Sequence, residues 1–419
     1  MKLWLCMTRL CLQVVYNAMK LMKTDKISIL FVHASADLYG SDKVLLDLVR
    51  NIDQHRFEPI VILPDKGPLF YLIEKSGIEV HALPIAKISR STFTFSGVIK
   101  LAFRLVTSFF GINRIVAGRK ITIVHTNTLA VISGAAWSIL TKTSHLWHVH
   151  EILEHPSIIS TYYPKLVSLL SCRVVANSDA TRNWLEKKSL SIGAKSVTIY
   201  NGLSQTPVAV KSESEGVRAF CNADLTKIVF VLVGRISRWK GQKLFVDALE
   251  LLVDKGHTEI RALIVGSPPA GQEHFKTDLV AYISESRAAE FIYLMDQTDN
   301  IWPVWAACDV AVVPSTEPEP FGMVAIEAMS AHKPVIAANH GGLVEIVEDG
   351  ITGILVPPRD ALALANAIEA IAFDAERRAQ MGESGFHRQK KYFSLEAYVH
   401  AFESQYLEIA FRRLPGLTC

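Results

Sequence analysis

The chain alternates short, mostly apolar runs with longer stretches in which apolar residues recur at helical spacing. From Lys26 onward, the run ISILFVH (27–33) is followed by the amphipathic stretch KVLLDLVRNI (43–52) and then by PIVILP (59–64). Runs rich in Val, Ile and aromatic residues predict buried strands, and apolar positions three and four apart predict helices. This succession predicts an α/β fold, with a mostly parallel sheet covered by helices on both faces.

The same alternation of strand-like and helix-like segments runs through both halves of the chain. Further strand candidates in the first half are ITIVHTN (121–127), HLWHVH (145–150), CRVVANS (172–178) and SVTIYNG (196–202). Those in the second half are KIVFVLVG (227–234), RALIVG (261–266), FIYLM (291–295), DVAVVPS (309–315), KPVIAAN (333–339) and GILVP (353–357). The pattern predicts two α/β domains of similar size, which should bind ligands beyond the carboxyl ends of their strands.

A polar segment with little periodicity marks the predicted boundary between these domains. We expect an N-terminal domain at 26–204, a linker at 205–226 and a C-terminal domain at 227–393. The last stretch, 394–419, contains an amphipathic helix that we expect to return towards the N-terminal domain. Residues 1–25 stand before the first domain as a basic and apolar extension.

Composition supports a folded enzyme. The chain has 419 residues, of which 50% are hydrophobic and 20% charged, with a net charge of +3, so it can bury a large core and lacks the basic excess of a nucleic-acid binder. Its six cysteines form none of the close pairs typical of zinc sites or disulfide frameworks, which favours a cytoplasmic location.

The N-terminal extension resembles neither a signal peptide nor a membrane span. Arg9 interrupts its apolar residues, and no run reaches the roughly 18 apolar residues that a span requires. Two interpretations stay open, an interfacial amphipathic helix and a non-essential extension.

A loop rich in cations follows the first strand of the second domain. In GRISRWKG, Gly234 and Gly241 bracket Arg235, Arg238 and Lys240. Arg donates parallel hydrogen bonds and Lys supplies a compact charge, so this loop suits a diphosphate. The ordinary alternative is an exposed basic turn.

The stretch STEPEPFGMVAIEAM carries two carboxylates around a predicted helix start near Phe321. Helical geometry places Glu327 within about 20° of the direction of Pro320, and about 10 Å from Glu319 along the axis. Both carboxylates can then face one ligand, too far apart for the paired acids of a retaining glycoside hydrolase, which lie about 5 Å apart. Unpaired helix-start amides, which suit anionic or hydroxyl oxygens, are expected near Phe321, Gly322 and Met323.

The stretch 96–120 is apolar and basic, with no acidic residue. Its five cations are Lys100, Arg104, Arg114, Arg119 and Lys120. Two interpretations stay open: a helix lying on anionic lipid, and a helix packed on the first domain with its cations directed outward. The first makes a lipid-linked acceptor and peripheral contact with an anionic membrane an expectation.

Four motifs together resemble the signature stretches of glycosyltransferase family 4. They are GRISRWKG, EPEPFGMVAIEAM, KPVIAANHGGLVEIVEDGITGILVPP and YNGL, and their order and separation agree with the family. The resemblance is clear over Ser196–Asp360 and weaker back to Lys26. It implies a GT-B fold with two Rossmann-like domains facing across a cleft, a nucleotide-sugar donor, and retention of anomeric configuration.

The resemblance also implies roles for residues of the second domain. Arg235 and Lys240 would neutralise the leaving diphosphate, Glu319 would hold donor-sugar hydroxyls, and Glu327 would hold the ribose. Arg238 receives no role and is expected to be an outward-facing cation. Further donor-site positions implied by the family pattern are Gly234, the backbone of Phe321, Gly322 and Met323, and a supporting wall of Gly341, Gly342 and Glu345.

In the first domain the resemblance points to two strand ends. LYGSDK matches the family's glycine loop, so the amides of Gly40 and Ser41 would approach the phosphates or the acceptor, although the family more often has a second glycine where Ser41 stands. HLWHVHE matches a strand ending in His and an acid, which makes His150 the expected contact to the donor sugar.

Other polar residues nearby have competing interpretations. For His150 itself the alternative is a hydrogen-bonded core histidine. His148 lies two residues earlier, on the same side of the strand, and can be confused with it. His125 and Asn127 in VHTNT are expected to be structural. Asp296 stands where many relatives have Gly, near the expected base, which leaves the base open.

The chain contains no Asp-x-Asp pair, so we expect no metal and no cofactor, with Arg235, Lys240 and helix amides stabilising the diphosphate. The predicted function is retaining, front-face transfer from a nucleotide sugar to a glycan or lipid-linked acceptor. Cell-envelope polysaccharide or lipopolysaccharide synthesis, in the cytoplasm or on the inner face of its membrane, is the expected context. A sugar-nucleotide epimerase and a catalytically silent sugar-nucleotide-binding subunit stay open.

Overall fold

The computed structural model describes residues 26–88, 90–154, 156–204 and 211–412. The predicted extension at 1–25 lies outside the described residues. The chain divides into two compact units. The first comprises the described residues as far as Asn177, then Arg182–Ile199, and those from Tyr398 onward; the second comprises Ser178–Thr181 and Tyr200–Ala397.

The first unit is built on a seven-stranded sheet in which every pairing is parallel. Its strands are β1 (Ile27–His33), β2 (Phe57–Leu63), β3 (Glu79–Ala82), β4 (Ile123–Asn127), β5 (Ser144–Val149), β6 (Arg173–Ala176) and β7 (Ser196–Thr198). Their order is β3-β2-β1-β4-β5-β6-β7. The order reverses between β1 and β4, which creates a crevice beyond the carboxyl ends of these two strands.

The second unit repeats this design with six parallel strands. They are β8 (Ile228–Val233), β9 (Ile260–Val265), β10 (Ile292–Met295), β11 (Val310–Val313), β12 (Val335–Ala338) and β13 (Gly353–Val356). The order is β10-β9-β8-β11-β12-β13, so the reversal falls between β8 and β11. The predicted fold class, two Rossmann-like α/β domains, is confirmed.

Helices alternate with these strands, as the apolar periodicity predicts. Those before β8 are α1 (Gly40–Asn51), α2 (Pro68–Lys75), α3 (Phe95–Val116), α4 (Ser133–Thr141), α5 (Ser157–Leu170), α6 (Asp179–Lys188) and α7 (Lys211–Phe220). Those after β8 are α8 (Gln242–Asp254), α9 (His274–Glu285), α10 (Trp302–Ala307), α11 (Met323–Ser330), α12 (Leu343–Ile346), α13 (Ala361–Ala372), α14 (Ala375–Tyr392) and α15 (Leu395–Phe411). Short 3-10 helices lie at Arg90–Phe93, Leu190–Ile192 and Ala289–Phe291.

The segment predicted as a linker is only partly one. Within 205–226, α7 forms a helix and Cys221 is fully buried in the core of the second unit. The Arg218 guanidinium donates to the Ala307 carbonyl at 2.9 Å and to the Asp309 carboxylate at 3.1 Å, which ties α7 to that unit. The linker prediction is wrong for 211–226, because sparse apolar residues on a short helix give little periodic signal.

The last helix, α15, contributes its residues from Tyr398 onward to the first unit. Tyr406 is fully buried, and its hydroxyl lies 2.7 Å from Nδ1 of His125. Glu403 accepts a hydrogen bond from the amide of Asp53 at 2.8 Å. Helix α15 therefore completes the core of the unit with which the described chain begins.

Candidate functional site

Two loops meet at the switch point of the second sheet. One follows β8 and carries Lys240; the other follows β11 and carries Ser315 and Glu319. The Lys240 ammonium donates to Oε1 of Glu319 at 2.6 Å, and the Ser315 hydroxyl donates to the same oxygen at 2.5 Å. The two charged side chains are only 15% and 7% exposed. Residues far apart in sequence thus form a compact, charge-assisted cluster at a ligand-binding edge.

The cluster keeps capacity for a ligand. An ammonium has three donors and a carboxylate has about four acceptor positions, so one mutual bond leaves both groups able to bind further oxygens or hydroxyls. The Lys240 nitrogen also lies 4.4 Å from the centroid of the Trp239 ring, a cation–π contact that helps to hold its position. The cation and the acid predicted to share a donor are direct neighbours.

Glycines allow the backbone to approach this cluster closely. At Gly341, which has φ +62°, a Cβ would lie 2.4 Å from the carbonyl oxygen of Glu319. The Gly342 amide donates to that same oxygen at 2.7 Å. At Gly241 a Cβ would lie 2.1 Å from the Pro314 carbonyl oxygen. A side chain at Gly241 or Gly341 would therefore collide with the neighbouring backbone. The hydrogen bond from the Gly342 amide holds the backbone of Glu319 in place.

The helix start differs from the prediction. β11 ends at Val313 rather than at 315, and α11 begins at Met323 after Gly322, whose φ of 133° is outside the helical range. Helical angles therefore cannot be extrapolated back to Pro320, and the predicted alignment of Glu327 with that residue is wrong in this step. Glu327 is half-buried on α11, whose first-turn amides begin at Met323.

Phe321 precedes this helix and has a packing role as a side chain. It is 3% exposed, and its ring centroid lies 6.1 Å from that of Tyr200 and 5.9 Å from that of Phe393. Its predicted contribution was through the backbone, and that prediction is compatible with a buried ring.

The two arginines of the cation loop differ. Arg235 is exposed, and its carbonyl accepts a hydrogen bond from the Gln242 side chain at 2.9 Å, which fixes the backbone beside Gly234. Arg238 is 77% exposed and pairs with Glu317 at 2.8 Å. Arg238 is the outward-facing cation that the sequence predicted.

Glu345 binds backbone amides rather than lining an open wall. Its carboxylate accepts from the amides of Asp179 and Ala180, each at 2.7 Å, at the start of α6. Burial raises the pKa of Glu345, while these amide hydrogen bonds oppose the rise. A carboxylate at a helix start is favourable, so Glu345 holds the chain where it crosses into α6.

Asp296, at the position expected near the nucleotide base, is bound by a cation. Lys276 donates to its carboxylate, and the hydrogen bond and charge of that Lys lower the pKa of Asp296. Within the described ranges, no three His, Cys, Asp or Glu side chains are grouped as a metal site requires.

In the first unit, polar residues converge at the equivalent switch point. His33 and Asn127 end β1 and β4 as paired residues, and His150 follows β5. Nε2 of His150 lies 2.8 Å from Oδ1 of Asn127, whose Nδ2 lies 2.9 Å from Nδ1 of His33. Nε2 of His33 lies 2.6 Å from Oδ1 of Asp42. We call this chain of four side chains the imidazole relay.

The hydrogen-bond partners along the imidazole relay indicate which ring nitrogens carry protons. Burial opposes ionisation of Asp42, but its hydrogen bonds with the His33 side chain and with the Tyr39 amide hold its pKa below the usual value. A carboxylate only accepts, so His33 donates from Nε2 and accepts at Nδ1; the Asn127 amide donates to it and accepts from Nε2 of His150. Burial lowers the pKa of His150 to about 3, so its imidazole is neutral.

The other histidines of this edge belong to the core. His148 is 1% exposed, and its ring centroid lies 3.9 Å from that of His150. His125 is fully buried and bonded to Tyr406, as the structural prediction for it implies. Asn127, also predicted to be structural, in fact orients His150.

Sequence reasoning missed His33 and Asp42. Local signals existed for both: a histidine at a strand end, and an acid in the first helical turn that accepts the Tyr39 amide at 2.9 Å. The nearby glycine loop is open, because a Cβ on Gly40, the first residue of α1, would meet no atom within 4 Å. Ser41, in place of a second glycine, follows as the second residue of that helix.

Family profiles match both halves of the chain. The profile described as Glycosyltransferase Family 4 matches residues 39–205, and that described as Glycosyl transferases group 1 matches residues 215–388. A curated relative, D-inositol 3-phosphate glycosyltransferase of Corynebacterium kroppenstedtii, is 30% identical over 211 residues, which is 49% of this chain and 46% of the relative. The corresponding protein of Corynebacterium glutamicum is 33% identical over 198 residues, 46% of each chain. The chain thus spans about half the length of the curated relatives it matches.

Solved structures match over nearly the whole chain. Anabaena HepE (Alr3699), solved with UDP and glucose, has a TM-score of 0.76 and 26% identity, covering 90% of this chain and 98% of that one. A glycosyltransferase from Rickettsia africae has a TM-score of 0.78 at 23% identity, covering 92% and 99%. With both profiles matched in order, this chain belongs to the family 4-like glycosyltransferases and has their two-domain GT-B fold.

Proposed function

We propose that this protein is a retaining, metal-independent glycosyltransferase that uses a nucleotide sugar. The observation that carries the proposal is the pairing of Lys240 with Glu319 at the switch point of the second sheet. Transfer from a sugar diphosphate needs a cation for the departing phosphate and an acceptor of hydrogen bonds for the sugar hydroxyls. Lys240 supplies the cation and Glu319 the acceptor, and one hydrogen bond joins the two side chains directly.

The chemistry requires charge stabilisation at the leaving group. The bond between the anomeric carbon and the phosphate oxygen breaks, and the acceptor oxygen forms its bond to the same carbon from the same face. The acceptor proton passes to the departing diphosphate, so no separate base is required. Negative charge develops on phosphate near Lys240 and Arg235, and preorganised donors are most effective against such developing charge.

The imidazole relay supports a complementary role for the first unit. A neutral His150 with its proton fixed on Nε2 adds no positive charge beside an anomeric carbon that gains oxocarbenium character. We propose that His150 contacts the donor sugar in this uncharged state. His33, Asn127 and Asp42 would act as positioning residues that hold the ring.

The donor is proposed to be a UDP-sugar, because HepE has been solved with UDP and UDP-glucose and aligns with nearly this whole chain. The acceptor is proposed to be a glycan or a lipid-linked molecule of cell-envelope synthesis, including lipopolysaccharide. The proposed site of action is the cytoplasm or the inner face of its membrane, and the exposed basic and apolar helix α3 supports contact with a membrane surface.

The test is turnover of UDP-glucose and other nucleotide sugars in the presence of a chelator, with UDP release and the anomeric configuration of the product as readouts. We expect UDP release without added metal and a product that keeps the donor's configuration. Glu319→Gln should remove release while Glu317→Gln, changed at an exposed neighbour, should retain it. An inverted product would overturn retention, and activity abolished by the chelator would overturn metal independence.

The same assay separates the alternatives. Recovery of the nucleotide still linked to an epimerised sugar would identify an epimerase. Saturable donor binding with no release of UDP, even with cell-envelope extracts as acceptor, would identify a silent binding subunit.

A further inference from the structure

Helix α3 exposes an apolar surface that the fold of the first unit does not cover. Phe95, Phe103 and Phe110 are 86%, 67% and 66% exposed. The other exposed apolar side chains of this helix are Val98, Ile99 and Val106. Among the described helices, α3 alone is long and apolar enough to cross a membrane by length and composition, a test that buried core helices also pass, yet only 17% of its most apolar window is buried.

These residues share one side of the helix. At about 100° per residue, the exposed apolar positions from Val98 to Phe103 fall within an arc of about 140°. Lys100, Arg104 and Arg114 fall along one border of that arc, at roughly 100–180° from Phe95. An apolar face bordered by cations, with no acid in the helix, is typical of a helix lying at a lipid–water interface.

The opposite side of α3 is fixed to the protein. Ser108 and Ile112 are buried, and the Ser108 hydroxyl lies 2.9 Å from that of Ser133. A Cβ on Gly111 would lie 2.4 Å from the Leu83 side chain, so the helix packs closely on the unit. A helix committed to the protein along one side can lie on a membrane but cannot leave the fold to cross it.

A cavity of about 530 Å³ opens beside the cationic border. Lys87, Lys100 and Arg104 line it, with Asp65 as the one acid in the lining. All three cations are exposed, and no acidic side chain in the described part of the chain forms an ion pair with any of them. Arg119, counted with these cations in the sequence, is instead held by Glu79 and so is not available to a ligand.

We propose that this cavity binds the phosphate head group of a lipid whose chain lies against the apolar face of α3. Three unpaired cations facing one carboxylate favour an anion, and the adjacent phenylalanines favour a hydrocarbon chain; a single amphiphilic phosphate satisfies both surfaces. The occupant is a lipid phosphate embedded in the membrane. The further step, that this lipid carries the acceptor of the transferase, rests on the proposed function.

The position of the cavity suits an acceptor. Pro64 and Asp65 follow β2, and Pro84 follows β3, so the cavity lies beyond the same carboxyl edge of the sheet as His150. β1 and β4 separate β2 from β5, and at about 4.8 Å between neighbouring strands the offset is about 14 Å. A phosphate held in the cavity would leave room for one or more sugars between itself and the transfer site.

Vesicle co-sedimentation of the full chain tests the proposal. The vesicles are phosphatidylcholine alone, or phosphatidylcholine with a polyprenyl phosphate. We expect binding to the second kind only, weakened about 25-fold in Lys100→Ala/Arg104→Ala, at roughly fivefold for each cation near the surface. The matched control, Lys187→Ala/Lys188→Ala, removes two exposed cations from another helix of the same unit and should bind as the wild type does.

The apolar face is tested separately. Phe103→Ser/Phe110→Ser should also lose vesicle binding, while Leu225→Ser/Phe373→Ser, which changes exposed apolar residues of the second unit, should not. Thermal unfolding of each variant checks that the fold is kept. A soluble inorganic phosphate that displaced the protein completely at millimolar concentration would assign the cavity to a free anion and overturn the lipid proposal.

Two further results would overturn the lipid proposal. One is equal binding by Lys100→Ala/Arg104→Ala and its control Lys187→Ala/Lys188→Ala. The other is equal binding of the wild type to both kinds of vesicle. The proposed function fails independently, through absence of UDP release from any nucleotide sugar by the wild type. Lipid binding without turnover would leave the cavity assignment intact and remove only its role as an acceptor site.

Discussion

The switch points of the two sheets place different chemistry at equivalent topological positions. In the second unit, Lys240 and Glu319 form an ion pair in a partly solvated crevice. In the first unit, His150 ends a relay of neutral groups that leads to the buried carboxylate of Asp42. One site is built from charges that can be shared with an anionic ligand, and the other from a ring that burial keeps uncharged.

The difference shows how one architecture can divide the demands of sugar transfer. Cations stabilise a leaving diphosphate, whereas a neutral group beside a carbon gaining positive character avoids the repulsion that a cation would exert there. The topology supplies a crevice in both units, and the side chains at a few strand ends decide its polarity. Substitutions at each site therefore should have different signatures.

The largest expected effect is on the charged site. Lys240→Ala should lower kcat for UDP release by about 10²–10³, because one preorganised donor to developing charge contributes on the order of 3–4 kcal/mol. Steady-state kinetics with a UDP-sugar measure this. Arg238→Ala removes a neighbouring cation that already pairs with Glu317 and should leave kcat unchanged; an equal loss in both variants would make the effect one of general loop charge.

The next effect is on the relay. Asn127→Ala leaves two buried imidazole nitrogens without their partner and should lower the free energy of unfolding by about 2–3 kcal/mol. Denaturant unfolding measures it, and kcat should fall with it if the ring orientation matters. Asn51→Ala, at an exposed helix position, should change the free energy of unfolding by less than about 0.5 kcal/mol. Equal losses would show that the relay contributes nothing beyond an ordinary surface contact.

The buried imidazoles should make stability depend on pH. Burial holds the pKa of His148 well below 6.5, so below about pH 6.5 the unfolded chain binds a proton that the folded chain does not. The free energy of unfolding of the wild type should therefore fall with decreasing pH by up to about 1.4 kcal/mol per pH unit more than that of His148→Phe. Glu151, whose pKa burial raises to about 7, contributes the opposite slope to both proteins.

Thermal unfolding from pH 7 to pH 5 compares these two proteins. His55→Gln, at an exposed position, is the control and should follow the wild type. Parallel curves for His148→Phe and the wild type would contradict the neutral state assigned to this edge of the first sheet.

The smallest effect is expected at the periphery of the charged site. Asp296→Gly breaks an exposed contact with Lys276 and should change stability little, because solvent screens such a pair. If the base binds nearby, KM for a UDP-sugar should change by less than tenfold with kcat unchanged. A large fall in kcat would move Asp296 from the periphery to the reacting atoms.

Much of the architecture follows from local pattern. Apolar runs bounded by turns predicted both sheets, and the cation loop and acidic turn were found because ligands bind beyond strand ends in such folds. The ends of helices and strands were predicted less accurately where a residue has an unusual backbone conformation. Gly322, with φ of 133°, delays the start of α11 to Met323, and the apolar periodicity of the sequence does not indicate such a residue.

Pairings between distant residues had no local signal. Lys240 and Glu319 are 79 residues apart, and Asn127 and His33 are 94 apart, so their contacts exist only once parallel strands align. Exposure of α3 was likewise undecided in sequence, because a buried helix and a lipid-facing helix can share one composition. The structure adds that the phenylalanines of α3 are uncovered, which is the observation on which the lipid proposal rests.

The path of α15 has a consequence for synthesis. The aromatic ring of Tyr406 packs against Phe31 and Phe57, residues that leave the ribosome long before it. All six strands of the second sheet, β8 to β13, lie between these residues in the chain and can pair before Tyr406 is synthesised. The core of the first unit therefore stays open at the position of Tyr406 until α15 has been translated.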